Sequence, residues 1–242
     1  MIIMPAMRGL FRKSAPVISH PDPSVWFKFQ DGAAKVDSGT LGLPWTNGDS
    51  LTLINDIPNN APAGGLSADF SLASTDTLLF SDTADIADID LSTIPFTIEF
   101  WAKKTSGGYE ELVHIKNYSE QAGSILYFYY LSSERLRLAF DWGGGGYFID
   151  TYVLGIDFSV WRHICVVKEQ ANPASVLIVY IDGVKYATGA TARTGLPIKS
   201  IFVGSSSITA PAVGIGSKVY DLRMYFGYAK YTSGFTPGFL PS

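Results

Sequence analysis

The sequence predicts an all-β fold: a two-sheet antiparallel β-sandwich of jelly-roll type behind an extended N-terminal arm. Three observations predict it. Apolar residues alternate with polar ones at a period of two in Phe96–Lys103 and again in Arg135–Asp141, the mark of strands with one buried face. Asp182-Gly183 separates the runs VLIVYI and VKYAT, and such a pair favours the positive φ angles of a two-residue hairpin turn. Helical periodicity is hard to find anywhere; Asp82–Leu91 has room for one short helical turn.

The elements follow in order. Met1–Ser24 read as an arm, because Pro5, Pro16, Pro21 and Pro23 oppose regular structure. Its apolar and basic residues Met4, Met7, Arg8, Leu10, Phe11 and Arg12 are candidates for contact with a partner protein. The sandwich is expected over residues 25–242. Phe96, Ile98, Phe100 and Ala102 form an inward row. Gly143–Gly146 sit between LRLAFDW and YFIDTYV and read as a hairpin tip. Val176–Ile181 is apolar throughout, which predicts a strand covered on both faces. Trp161, His163, Cys165 and Val167 share one strand face, so His163 reads as a satisfied core histidine rather than a ligand. Asp221 and Arg223 read as a same-face pair next to a sheet edge. Many short strands punctuated by glycine turns indicate a sandwich or jelly roll.

Composition narrows the function. The chain has 242 residues, 47% hydrophobic and 17% charged, with a net charge of -4. That length suits one large domain with a substantial core. The charge fraction is below the roughly 25% usual in globular chains, which suggests a surface that packs against other proteins. Mild acidity leaves no footprint for nucleic acid. No run approaches the ~20 apolar residues of a membrane span, so no membrane insertion is expected. The single cysteine, Cys165, forms no internal disulfide and reads as a buried thiol. The N-terminus lacks the pattern of a secretory signal, which fits folding in a reducing cytoplasm.

Four segments resemble the concanavalin A-like lectin/glucanase superfamily, specifically its laminin-G-like domains. They are VWFKFQDGAAKVDSGT at Val25–Thr40, the FTIEFW run of Ala68–Ser106, the W-x-H and Y-I-D-G pair of Trp161–Thr188, and the closing D-x-R-x-Y strand of Phe202–Pro237. The ending A-K-Y-T-S-G-F-T-P is most similar to versions in bacteriophage structural proteins. The resemblance implies the sandwich over residues 25–240. It implies no single activity, since the superfamily holds glycosidases, calcium lectins and plain interaction domains.

The residues themselves separate these classes. Retaining glycosidases place two carboxyl groups about 5–5.5 Å apart, and none of the six glutamates (Glu99, Glu110, Glu111, Glu120, Glu134, Glu169) lies in such a motif. Glu110 and Glu111 would point to opposite faces of a strand. Calcium needs six to eight oxygen ligands, and the loop Gly204–Lys218 has no acidic residue, Asn or Gln. Asp31, Asp37 and Asp76 read as turn residues rather than a different calcium site. His20, His114 and His163 have no metal-ligand spacing with Cys165. No metal, cofactor or catalytic residue is expected. Tyr109, Trp142 and Tyr147, beside glycine-rich tips, are candidate glycan-stacking residues, although Trp142 and Tyr147 also suit cross-strand packing at a hairpin base.

The functional expectation is a non-enzymatic bacteriophage virion protein, such as a decoration, fibre or tail component. It would fold in the host cytoplasm and attach to other virion proteins through its arm. The alternative is a carbohydrate-binding adhesion module that contacts host-surface glycans. Closed symmetry is common among such parts, so a homo-oligomer is compatible with either.

Overall fold

The computed structural model describes residues 20–29, 38–43, 51–70, 78–80, 89–106, 110–116, 124–132, 135–142, 147–170, 176–190, 197–204 and 217–239. No helix occurs among them, and the strands form two antiparallel sheets. The first sheet holds β1 (Val25–Phe27), β2 (Thr52–Ile54), β3 (Ser67–Asp69), β5 (Phe96–Lys104), β10 (Arg162–Lys168), β11 (Val176–Ile181), β12 (Val184–Ala190) and β14 (Ser217–Phe226). Its order is β12-β11-β10-β5-β14-β3-β2, and β1 also pairs with β14. The second holds β4 (Leu78–Phe80), β6 (Glu110–Lys116), β7 (Ser124–Ser132), β8 (Arg135–Trp142), β9 (Tyr147–Leu154) and β13 (Ser200–Val203), in the order β4-β13-β6-β7-β8-β9.

The period-two pattern explains the core. Phe96, Ile98, Phe100 and Ala102 are fully buried between the sheets, with Ile164, Val166, Leu222 and Met224 from neighbouring strands. Phe128 of the opposite sheet meets Phe100 edge-on at 5.3 Å. Side chains on a strand alternate between faces, so Thr97, Glu99 and Trp101 must face outward from the same strand. Glu110 and Glu111 do part to opposite faces. Glu110 turns inward to Lys104 at 2.9 Å, and Glu111 accepts a hydrogen bond from Tyr127 on the outer face.

The hairpin expected at Asp182-Gly183 joins β11 and β12, with φ of 50° and 77° at its two residues. β8 and β9 pair as the glycine tip predicts, with Trp142 opposite Tyr147 in register; the tip itself lies outside the described residues. Most of the short helical turn considered at Asp82–Leu91 lies there too. The described chain beyond it makes a tight turn, in which the Asp90 carboxylate accepts from the Ser92 amide and Thr93 N–H bonds the Asp90 carbonyl. Buried Lys168 donates to the Ser92 and Ile94 carbonyls and fixes that turn to β10.

β11 is covered on both faces, as its unbroken apolar run requires. Leu177, Val179 and Ile181 enter the main core. Ile178 and Tyr180 form an outer cluster with Cys165 and Val167, closed by Ala229, Tyr231 and Phe235. Those three residues belong to the segment Gly227–Phe239, which leaves β14 and runs as a strap across the outer face of the eight-stranded sheet. Asp221 and Arg223 do pair, next to a sheet edge: beside Arg223, β14 has β5 on one side and β1, which pairs with β14 alone among the described strands, on the other. The register of β14 against β5 shifts between Tyr220 and Arg223, where Asp221 has φ 55°. Such a bulge re-aims side chains.

Candidate functional site

Strand register sets the site. Tyr180 pairs with Cys165, Cys165 with Glu99, Glu99 with Arg223 and Arg223 with Trp26. These five residues form one row across β11, β10, β5, β14 and β1, on the face beneath the strap. At its centre the Glu99 carboxylate is almost fully buried and accepts from Lys230 Nζ at 2.6 Å and Tyr231 Oη at 2.9 Å. Arg223 reaches it at 3.4 Å and His163 Nε2 lies at 3.5 Å. Burial alone would raise the Glu99 carboxyl. The hydrogen bond from His163, with the charges of Lys230 and Arg223, outweighs burial and holds Glu99 below the usual carboxylate range.

Each of the motif segments that follow FTIEFW supplies a partner. Glu99 comes from FTIEFW, His163 from W-x-H, Arg223 from D-x-R, and Lys230 and Tyr231 from A-K-Y-T. Asp221 binds the Arg223 guanidinium through both carboxylate oxygens and accepts from the Trp26 indole at 2.8 Å. His163 is buried as expected, but on the outer face beneath the strap rather than between the sheets, and it is only partly satisfied: it packs against Trp101 and Phe235, and its Nδ1 has no partner among the described residues. Asp182 of Y-I-D-G accepts from the His163 amide and from Arg162. Cys165 is buried, and burial with the adjacent Glu99 charge pushes its thiol well above the usual range.

Above this floor lies a cavity of about 450 Å³, inside the size range of small-ligand sites. Arg223 and Lys230 line its base, and Tyr231, Phe235 and Phe239 supply aromatic walls. Thr232, Ser233 and Thr236 bring hydroxyls to it from the exposed part of the strap. His20 closes one side; its Nδ1 lies 3.0 Å from the Tyr228 hydroxyl. Burial and the Lys230 charge hold the His20 imidazole below its usual range, against the pull of Glu99. Phe239 stacks on Trp101 at 5.2 Å, and Tyr231 stacks on Phe235 at 3.5 Å.

The outer face of the other sheet is also aromatic and charged. His114 lies 4.3 Å from Tyr127, Tyr127 lies 4.5 Å from Tyr129, and Lys116 sits over Phe202 at 4.7 Å. All five are buried.

The sequence-predicted candidates fall elsewhere. Tyr109 and the arm residues Met4, Met7, Arg8, Leu10, Phe11 and Arg12 lie outside the described residues, as do Asp31, Asp37 and Asp76. Trp142 and Tyr147 are described as a backbone pair that closes β8 on β9. His20–Ser24, the end of the expected arm, already run on the sandwich: the Ser24 amide donates to the Met224 carbonyl at 2.8 Å. Sequence reasoning missed Lys230, Tyr231 and Phe235 as neighbours of a cavity. Their signal was the closing A-K-Y-T-S-G-F-T-P, which contains all three residues.

Comparison with known proteins supports the fold. No curated protein matches the chain. Among solved structures, the binding domain of botulinum neurotoxin serotype G superposes with a TM-score of 0.65 at 11% identity, over 87% of this chain and 49% of that one. The binding domain of Paraclostridial Mosquitocidal Protein 1 gives 0.63 at 13% identity, over 87% and 50%. A botulinum neurotoxin type C structure gives 0.62 at 14% identity, over 84% and 47%. The chain therefore spans about half the length of these structures, and identities this low speak to fold alone. A laminin-G family model matches residues 78–225, from β4 to the Tyr225 end of β14, and the chain belongs to the concanavalin A-like lectin/glucanases superfamily.

Proposed function

We propose that this chain is a non-catalytic, glycan-contacting module carried on a bacteriophage virion. The observation that carries the glycan reading is the cavity under the strap. Sugars present apolar C–H faces and a rim of hydroxyls, and a site for them combines aromatic rings with placed polar groups. Phe239, Phe235 and Tyr231 supply the rings, and Thr232, Ser233 and Thr236 the hydroxyls. Cell entry of botulinum neurotoxin type C, whose structure has the same fold, depends on interaction with two ganglioside molecules, which favours a glycan as ligand without carrying over the acidic sugar of those molecules.

The non-catalytic part rests on how the buried carboxylates are used. Glycoside cleavage by paired carboxyl groups needs one to protonate and one to attack or activate water. Here Glu99 is held by Lys230 and Arg223, Glu110 by Lys104, and Asp221 by Arg223. The virion part rests on the closing A-K-Y-T-S-G-F-T-P, which resembles bacteriophage structural proteins and forms the strap. The arm would attach the module to other virion proteins, entering beside the cavity at His20.

Two experiments test this reading. The intact chain is applied to an immobilised glycan array, where saturable capture is expected and its absence removes the glycan role. Mass spectrometry of purified particles is expected to find the chain, and particles without it remove the virion role.

A further inference from the structure

We infer that the cavity selects an uncharged sugar terminus and rejects acidic ones, an inference that rests on the glycan reading above. Two cations at the base invite the opposite expectation, since Arg is a common partner of carboxylates. Their partners decide against it. Arg223 gives Nε and Nη2 to Asp221, and Nη1 to Glu99 and the Gly238 carbonyl. Lys230 gives Nζ to Glu99 and to the Tyr225 hydroxyl. Two carboxylates thus balance two cations at the floor.

An acidic sugar would have to draw Arg223 or Lys230 away from Glu99 or Asp221. That would leave a buried carboxylate short of its partner, a costly exchange. It would also place a third carboxylate beside the first two, and like charges at close range are strongly disfavoured. A neutral ring meets no such penalty. It can lie against Phe239 or Phe235 and hydrogen-bond to Ser233 or Thr236, with the ion pairs intact.

Gly238 supplies a variant that tests the location. It lines the cavity, and a Cβ built on it meets nothing within 4 Å. Gly238→Trp should fill the space without touching the Glu99 floor. The intact chain and Gly238→Trp are applied to matched immobilised pairs: galactose-terminated glycans with their sialylated forms, and glucose-terminated with glucuronate-terminated glycans. Capture of the neutral member by the wild type is expected to exceed the acidic member by about tenfold or more, and to fall to background in Gly238→Trp with thermal unfolding unchanged. Equal or preferential capture of the acidic member overturns the inference while leaving a glycan-binding protein. Neutral capture that survives in a folded Gly238→Trp overturns the assignment to this cavity. No capture of any pair overturns the glycan reading and this inference together.

Discussion

Lys230 donates to Glu99 at 2.6 Å across 131 residues of sequence, and neither side chain is more than 4% exposed. The contact ties the strap to the middle of the eight-stranded sheet. An ion pair this deep gives modest net stability, because both charges lose water, but removing one partner leaves the other buried and uncompensated.

The first prediction follows from that asymmetry. Lys230→Met is expected to cost about 3 kcal/mol in denaturant unfolding, since among the described residues Glu99 then keeps Arg223 at 3.4 Å as its cationic partner, beside the His163 ring at 3.5 Å. Adding Glu99→Leu to Lys230→Met should recover part of the loss, because both charges are then gone. Additive losses in that double-mutant cycle would show that the two residues do not act as a pair.

How much of this was legible in the sequence depends on what each feature needs. Alternation at Phe96–Lys103 revealed the inward row, because a strand's period of two is a local property. Asp182-Gly183 revealed its hairpin for the same reason. Glu99 was read as an isolated glutamate, since its partners come from β10, β14 and the strap, and only register brings them together. The row that Arg223 completes with Glu99 and Trp26 was hidden likewise: which strands flank β14 is set by pairing between distant segments, not by its own residues. The cavity is a product of the strap's path, which no local pattern in Gly227–Phe239 encodes.

Acid sensitivity should centre partly on Asp56. Burial acts to raise its carboxyl, but hydrogen bonds from Lys218, Trp161 and Lys103 bring it down to about 2 from 3.8. A carboxyl lowered on folding adds stability that is complete above its unfolded value and is lost as pH falls toward the folded one. The loss should therefore fall between about pH 4 and pH 2. Asp56 is about one-third exposed, so solvent screening reduces the effect to about 1 kcal/mol. Asp56→Asn should flatten this part of the urea-stability profile, and an unchanged acid limb would exclude Asp56 as a contributor.

Gly183 should tolerate no side chain. Its φ is 77°, and a Cβ there would stand 1.7 Å from the Phe235 carbonyl oxygen. The same glycine accepts a hydrogen bond from the Phe235 amide at 3.1 Å, so hairpin and strap meet backbone to backbone. Gly183→Ala is expected to cost about 2 kcal/mol from the left-handed backbone and the clash combined. Hydrogen exchange should also rise at Phe235, which a purely local hairpin defect would leave protected.

Cys165 reports on the same strap from below. It is fully buried between Tyr180 and Glu99 in the sheet register, under the cluster closed by Ala229, Tyr231 and Phe235. Thiol reagents attack the thiolate, and burial with the Glu99 charge disfavours that form here. The native chain should therefore react with a thiol reagent far more slowly than the unfolded chain, at a rate set by opening of the structure. If the strap is the cover that opens, Lys230→Met and Gly183→Ala should both speed labelling under conditions where far-UV circular dichroism still shows an intact sandwich. Labelling that accelerates only in step with global unfolding would show that Cys165 is sealed by the whole sandwich rather than by the strap.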